Sequence, residues 1–404
     1  MKADALTLAH GLSFGDLYDR DGLVRLDGLF LDALGAADGD LRRRLEAARA
    51  EPDSLTRLAE SELIIDLAPH LEGFIGGLFG IGAELAALRG EHEALAPIFE
   101  VRRNFVQRRA VKKIKADAAA ALDGDALAAG MAALLGGPVT ELSFARAVAG
   151  WLADEDTNSQ ALATAESYAA WATLSDAGRA RHDGGVLFKE PGKLDFDHLV
   201  HHMVSEETIV GDAANGATCH RLDANHLRRR EGFALTDAGV DLAGALGEAN
   251  YCIWCHKQGR DSCSTGLREK AAKDAAANAA PPPFRKNPFG ISLAGCPLEE
   301  KISEFQKLKA EGCSVGAFAT MIIDNPMVAG TGHRICNDCM KSCVYQKQDP
   351  VDIPQAETRT LKDVLALPWG FEIYSLLSRW NPLNLTRPYP ESATNKKVLV
   401  VGMG

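Results

Sequence analysis

The chain has 404 residues, a net charge of −11, 46% apolar residues and 25% charged residues, the ordinary composition of a water-soluble globular protein. Its length allows about two or three domains. The acidic balance argues against a general nucleic-acid-binding protein, which normally has a basic surface. The sequence shows neither a secretory signal nor an uninterrupted apolar stretch that could span a membrane, so we expect a cytoplasmic protein.

Residues 1–227 are predicted to form a helical domain of unknown role. Apolar residues recur there at helical spacing, as at Leu23, Leu26 and Phe30. The tripeptide Gly136-Gly137-Pro138 predicts the end of a helix. No catalytic motif accompanies these patterns, so the region carries a fold prediction and no functional one.

Two polar groups in this region have a functional and a structural interpretation. The basic run between Arg102 and Lys115 could dock an acidic partner, but apolar residues at helical spacing favour the solvent side of an amphipathic helix. His198 and His202 are one helical turn apart, with His201 between them, yet no acidic catalytic pattern accompanies them. We favour the structural interpretation of both groups, and likewise for the isolated Cys219.

The cysteines carry the strongest signal. The stretch Cys336-Asn-Asp-Cys339-Met-Lys-Ser-Cys343 places three thiols within eight residues. Eight of the nine cysteines lie in one region, namely Cys252, Cys255, Cys263, Cys296, Cys313, Cys336, Cys339 and Cys343. In a reducing compartment such crowding indicates metal or redox chemistry before disulfides.

Two kinds of metal centre fit this spacing. A zinc site built from Cys252, Cys255, Cys336 and Cys339 would satisfy tetrahedral coordination but leave three clustered thiols unused. Two four-iron clusters need about eight ligands, and a remote cysteine beside proline, as at Cys296, is typical of them. Without Cys219 and Cys313, the seven clustered thiols are one short, so a non-cysteine ligand would be required.

Composition divides the rest of the sequence into a helical region and a C-terminal linker with one strand. Residues 228–380 are predicted to be helical, with an alanine- and proline-rich inserted loop at 264–294 and a connection at 350–360. Residues 381–404 are predicted to be a linker and one strand. The strand is the run Val398–Val401, and Gly402-Met403-Gly404 after it is typical of the turn that opens a dinucleotide-binding unit. We therefore expect a piece of a longer protein.

The stretch from about 228 to 404 resembles the N-terminal iron–sulfur domain of the glutamate synthase small subunit family, which dihydropyrimidine dehydrogenase and related flavin oxidoreductases share. The resemblance is carried by five motifs: Glu248 to Cys255, Gly295 to Leu298, Gly332 to Cys343, Pro350 to Ile353, and the lysine-led strand into Gly402-Met403-Gly404. It implies a mainly α fold: a helical N-terminal region, an α-helical two-cluster domain and the first strand of a truncated Rossmann-type FAD domain.

The resemblance also implies the cofactors and their ligands. Two [4Fe–4S] clusters are expected, the first held by Cys252, Cys255, Cys263 and Cys343. The second would be held by Cys296, Cys336 and Cys339, with Glu357 at the position of the family's non-cysteine ligand. The long separation of Cys263 from Cys296 departs from the family pattern, as does the short spacing from Cys336 to Cys339, and Cys313 is an alternative ligand.

The function that the resemblance implies is electron transfer. FAD would bind at Gly402 and Gly404, and electrons would pass between NAD(P)H, flavin, the clusters and an acceptor. That acceptor would be a protein, a subunit or missing C-terminal domains, and the chain alone is not expected to oxidise NADPH. A zinc-stabilised helical binding module is the alternative, and a related domain that has lost its clusters is a third interpretation.

Overall fold

The computed structural model describes residues 8–194, 209–212, 217–220, 230–234, 237–270, 280–392, 394 and 396–401. The predicted mainly helical fold is confirmed for these residues. The ten helices described before residue 194 are α1 Arg20–Ala37, α2 Gly39–Ala50, α3 Arg57–Phe79, α4 Gly82–Val101, α5 Val111–Lys113, α6 Ala116–Ala120, α7 Gly124–Leu135, α8 Glu141–Leu152, α9 Ser159–Leu174 and α10 Asp176–Arg181.

The second half has shorter helices. They are α11 Leu242–Tyr251, α12 Ser262–Thr265, α13 Ile302–Ala310, α14 Ser314–Met321, α15 Asp338–Lys341, α16 Ile353–Leu365 and α17 Gly370–Leu377. The strands β1 Ile209–Asp212 and β2 Ala217–His220 pair antiparallel, with Ile209 opposite His220. A π-helix, Arg102–Ala110, joins α4 to α5, and 3₁₀ turns occupy Ala9–Gly11, Gly15–Leu17, Pro52–Ser54, Cys255–Gln258 and Gly332–Arg334.

Local sequence explains where many of these helices begin and end. The Asp19 and Asp38 side chains accept hydrogen bonds from the first backbone N–H groups of α1 and α2. Thr140 and Ser143 form a reciprocal capping box at the start of α8. Helix α7 ends at the predicted Gly136, whose φ of 65° lies in the left-handed region that glycine adopts without strain.

Within the described residues, two hydrophobic clusters form the core, and each combines segments that are distant in the sequence. The larger cluster combines residues from 8–85 with residues from 263–385. The Trp380 ring illustrates this, because its centroid lies 6.0 Å from that of Phe30 and 5.9 Å from that of Phe74. The smaller cluster takes residues from 98–188 together with Leu246 of α11. The predicted domain boundaries stay predictions.

Two predicted irregular segments contain regular structure. Helix α16 covers most of the predicted connection at 350–360, and Pro354 stands in its first turn, where a missing N–H costs nothing. The predicted loop at 264–294 contains backbone pairing, because Arg285 N donates to Leu267 O and Leu293 N donates to Arg285 O. The loop prediction relied on the proline triplet at 281–283, which does not exclude an edge bridge, and the predicted connection contains a proline that begins a helix.

The predicted first strand of a Rossmann-type FAD domain is wrong for the residues that can be seen. Residues 396–401 form no strand, and Val398–Val401 are largely exposed with no neighbouring strand to pair with. Gly402 and Gly404, the predicted FAD-binding residues, lie outside the described residues. None of the helices in the described ranges is long and apolar enough to cross a membrane.

Candidate functional site

Four cysteines from three separate segments line one cleft. Cys252 caps the end of α11, Cys255 begins the next 3₁₀ turn, Cys263 lies on α12 and Cys343 follows α15. All eight cysteines whose side chains are described are free thiols. The structure therefore brings together the four residues predicted for the first cluster, although long stretches of sequence separate Cys343 from the other three.

A strained residue turns the chain between the first two thiols. Trp254 has a φ of 53°, an unusual left-handed conformation for a bulky side chain. Its indole N–H donates to the carbonyl of Ala249 at 3.2 Å, which offsets part of the conformational cost. The turn brings Cys252 and Cys255 to the same cleft.

Asp261 organises the floor of the cleft. Its carboxylate accepts hydrogen bonds from the backbone N–H groups of Cys263 at 3.1 Å and Ser303 at 3.2 Å. Burial raises the pKa of Asp261. The Ser303 hydroxyl also contacts Nδ1 of His256 at 2.6 Å, and burial lowers the pKa of that ring to about 4. The side chain of His256, which follows Cys255 directly, is therefore buried, neutral and already engaged.

The thiols of this cleft are unequal in acidity. Burial raises the pKa of Cys252, and it raises that of Cys255 to about 11. The Cys263 thiol donates a hydrogen bond to Cys343, which raises the pKa of Cys263 and lowers that of Cys343 to about 7. Cys343 is thus the thiol that ionises first, and a bound metal would have to drive ionisation of the others.

A second group combines thiols with buried carboxylates. The charges of Glu300 and Glu357 act on both Cys296 and Cys339, and Cys336 in turn acts on Glu300. Burial raises the pKa of Glu357 to about 8, and it also raises that of Glu300. Oε1 of Glu300 is buried with no hydrogen-bond partner among the described residues. An unpartnered buried carboxylate oxygen is costly unless a ligand completes it.

The two thiol groups adjoin each other. The backbone N–H of Cys296 donates to the carbonyl of Cys263 at 2.8 Å, and the N–H of Gly295 donates to the hydroxyl of Ser342 at 2.9 Å. Cys339 lies on α15, and Cys343 follows that helix. These two cysteines are close in sequence but belong to different thiol groups.

Cys336 differs from the other ligand candidates because it is exposed. Its thiol donates to the carboxylate of Asp338, whose pKa is lowered mainly by the Lys341 ammonium and secondarily by Cys336. The second group is therefore open to solvent at Cys336, whereas Cys339 is buried.

Several residues singled out from the sequence lie elsewhere. Cys313 caps α14 and donates its thiol to Glu72, away from both thiol groups. In the basic run, Arg109 and Lys113 pair with the buried Glu166, which is a structural role. His198, His201 and His202 lie outside the described residues, and only the backbone is described at Cys219.

Sequence reasoning missed Glu300 and Asp261. The sequence did contain a signal for Glu300, which lies about one helical turn after Cys296. Charged residues near cysteines are common, so this spacing alone was not informative. Asp261 precedes Ser262-Cys263 and reads as an ordinary helix cap. Burial, which only the folded chain reveals, makes both carboxylates unusual.

No group of three or more His, Cys, Asp or Glu side chains within the described ranges is placed so that it could hold a metal ion. The prediction of a metal-binding protein is therefore wrong for the described residues, which contain no preformed metal centre. Burial raises the pKa of most of these thiols, so they stay protonated, whereas a metal ion binds the thiolate.

The fold and the site define a mainly α-helical protein with two adjoining groups of thiols, most of them buried or half-buried. The family model described as the RP005 N-terminal alpha-helical domain matches residues 8–80. The chain is 31% identical over 313 residues to the uncharacterized protein RP005 of Rickettsia prowazekii (strain Madrid E), a match that covers 76% of this chain and 99% of that protein. The chain belongs to the RP005 family.

A second relative matches a shorter stretch. The chain is 62% identical over 78 residues to the uncharacterized protein RP006 of Rickettsia prowazekii (strain Madrid E), which covers 19% of this chain and 11% of that protein. No solved structure matches the chain.

These comparisons correct the resemblance drawn from the sequence. They recognise an uncharacterized helical family and no glutamate synthase or iron–sulfur family, so that assignment is wrong. The descriptions that followed from it, namely oxidoreductase, flavoprotein and NADP-dependent electron transfer, have no support from family membership. Cysteine spacings and a valine-rich end constrain only a few positions, which is too little to define a family.

Proposed function

We propose that residues 252–357 assemble two [4Fe–4S] clusters and that the protein uses them to carry electrons. The observation that carries this proposal is the convergence of Cys252, Cys255, Cys263 and Cys343 on one cleft. Four thiolates are the usual ligand set of a four-iron cluster. The proposal rests on this arrangement of side chains and not on family membership.

The second cluster would use the mixed group. Cys296, Cys336 and Cys339 supply three thiolates, and Glu357 supplies a carboxylate from α16. The unpartnered Oε1 of Glu300 offers a second carboxylate in the same group. The positive core of an iron cluster would favour the ionised form of Glu300, whose pKa is raised first by burial and then by the charge of Glu357.

Assembly is proposed to be coupled to a local closing of the thiols. Metal ligands must be deprotonated, so metal binding releases the protons of its ligands. Segments 252–263 and 336–343 would move together, while the Asp261 and Ser303 hydrogen bonds hold the cleft floor. When bound, each cluster would supply reversible one-electron storage. The buried residues around Cys339 and Cys343 would exclude water from the clusters.

The exposed side of the second group suggests where an electron-acceptor protein would approach. Cys336 is exposed, and 71% of the surface of neighbouring Ile335 is accessible. Electron exchange is fastest where little protein separates the partners, so we propose this face for the acceptor. The free thiols also suit a reducing compartment, and we propose the cytoplasm.

A zinc-stabilised module is the competing proposal. The zinc set considered from the sequence combined Cys252 and Cys255 with Cys336 and Cys339, but these two pairs lie in different thiol groups. Zinc would instead have to use the four thiols of the cleft and leave the second group unoccupied. Two four-iron clusters would use seven clustered thiols, whereas a single zinc ion would use four of them, which favours the iron proposal.

Purification of the full chain without oxygen, followed by reconstitution with iron and sulfide, tests the proposal. We expect about eight iron atoms per chain, and about four in either Cys252→Ala or Cys296→Ala. Cys313→Ala is the matched control, because this buried thiol lies outside both groups and should leave the iron content unchanged. Incorporation of zinc alone, or equal iron content in all four proteins, would refute the proposal.

A further inference from the structure

A cavity of about 660 Å³ lies where the two hydrophobic clusters meet. This volume is within the usual range for sites that bind small molecules. The π-helix at 102–110, the segment 182–191, helix α11 and the segment 349–352 form its walls. None of the proposed cluster ligands lines it, so the cavity is separate from the thiol groups.

One wall of the cavity carries a half-buried cation with an unused buried donor. Arg102 donates through Nη2 to the carbonyl of Lys189 at 2.9 Å. Its Nε atom is buried and has no hydrogen-bond partner among the described residues. A guanidinium has five N–H donors in a planar fork that suits a carboxylate, and leaving a buried donor unpaired is costly.

A carboxylate faces the same space. Glu248, on α11, is mostly buried, and one of its oxygens accepts a hydrogen bond from the backbone N–H of Asp352 at 2.8 Å. Its charge acts on Arg102, yet among the described residues no ion pair joins the two side chains. The two opposite charges thus share a cavity without contact, and the gap between them can be bridged by a molecule with both charges.

The rest of the lining contains further charged residues, and part of it is apolar. Val186, Phe188, Val240 and Met340 all contribute to its surface. Gly244 and Gly247 of α11 also line the cavity. Gly247 allows α11 to pack closely against Val186, because a Cβ at Gly247 would meet that side chain at 3.1 Å. An apolar surface beside two opposite charges fits a ligand with a zwitterionic end and an apolar body.

We infer that this cavity binds a free α-amino acid with a large apolar side chain. Its carboxylate pairs with Arg102, its ammonium pairs with Glu248, and its side chain packs on Phe188 and Val240. The inference does not depend on the clusters, since it rests on a different set of residues. Tyr251, which lines the cavity, stacks on Tyr345 of the thiol cleft at 4.5 Å between ring centroids, so a ligand would lie close to that cleft.

Isothermal titration calorimetry of the full chain with free phenylalanine tests the inference. We expect a Kd below about 1 mM and binding at least about tenfold weaker for 3-phenylpropionate and phenethylamine, which each lack one charge. Glycine, which lacks the apolar body, should also bind at least about tenfold more weakly.

Variants assign the contacts. Arg102→Gln and Glu248→Gln should each weaken phenylalanine binding at least about tenfold. Arg103→Gln, at an exposed position of the same π-helix, should leave it unchanged. Arg102→Lys keeps the charge and should retain measurable binding even if Arg102→Gln proves unfolded by circular dichroism. No binding of any apolar amino acid, or equal binding by the charge-deleted analogues, would overturn the inference whatever the iron content of the protein.

Discussion

Lys309 of α13 and Asp363 of α16 form an ion pair in which both side chains are fully buried. Arg359 also donates to Asp363 at 2.7 Å, and the His92 ring of α4 lies 3.4 Å from the Lys309 ammonium. Burial lowers the pKa of Lys309, against the attraction of Asp363. The pair therefore joins α13 to α16, the helix that carries Glu357.

Removing one member of this pair should be strongly destabilising. We expect Lys309→Met to lower the free energy of unfolding by about 3–5 kcal/mol, because the buried Asp363 charge loses its ammonium partner and keeps only Arg359 and the His92 ring beside it. Urea unfolding followed by circular dichroism measures this. Lys307→Met is the matched control on the same helix. Its i,i+4 partner Glu311 is half-exposed, so the loss should be about 0.5 kcal/mol or less. A loss below about 1 kcal/mol for Lys309→Met would contradict the expected role.

The buried carboxyl of Glu304 should make stability depend on pH. Burial, with a smaller contribution from Asp261, raises its pKa above the ordinary 4.5. The folded protein then holds this proton at pH values where the unfolded chain has released it. Stability from this group is therefore lost as pH rises from about 4.5 through the folded pKa, by at most about 1.4 kcal/mol per pH unit.

The Glu304→Gln substitution tests that dependence. The amide keeps an oxygen for the Ser61 hydroxyl and cannot titrate, so stability should fall less steeply above pH 4.5 than in the parent chain. Glu311→Gln, at an exposed position just after the same helix, should leave the parent slope unchanged. Identical slopes for all three proteins would show that Glu304 titrates normally. The measurement is urea unfolding at a series of pH values.

Close packing of α3 against α14 should make Gly316 intolerant of a side chain. A Cβ at this position would meet the Cβ of Ala68 at 2.8 Å and the sulfur of Cys313 at 2.5 Å. We expect Gly316→Ala to cost about 1–3 kcal/mol through overpacking. Gly73→Ala, on the exposed face of α3 with open space around it, should instead stabilise by about 0.5–1 kcal/mol. A stabilising effect of Gly316→Ala in thermal unfolding would disprove close helix contact here.

The Trp380 side chain should be essential to the larger hydrophobic cluster. It is fully buried, packs on Phe30 and Phe74, and its indole N–H donates to Asp27 at 3.0 Å. Trp380→Ala is expected to cost about 3–5 kcal/mol.

Trp369→Ala is the comparison for that substitution. Because 38% of the Trp369 surface is exposed, we expect a smaller loss, about 1 kcal/mol. Chemical unfolding of both variants measures the difference. Equal losses would mean that residues 8–85 do not depend on the C-terminal part for their core.

The sequence alone was sufficient to predict the helical character and several helix ends, because these depend on neighbouring residues. The spacing of Leu23, Leu26 and Phe30 predicted α1, and Gly136 predicted the end of α7. Local sequence patterns gave wrong predictions where the surrounding residues determine the structure. Pro354 starts a helix instead of a connection, and the valine-rich Val398–Val401 has no strand beside it among the described residues.

Only the tertiary structure decided which distant residues meet. Cys263 faces Cys343 because α12 packs against α15, and Glu300 shares its surroundings with Glu357 because α16 packs against α13, and neither follows from any spacing in the sequence. The cysteine count is a property of the sequence. The burial that raises the pKa of these thiols and carboxylates depends on the surrounding chain, and so does the position of Arg102 opposite Glu248. Helix formation is local, whereas burial and charge proximity are set by contacts between residues far apart in the chain.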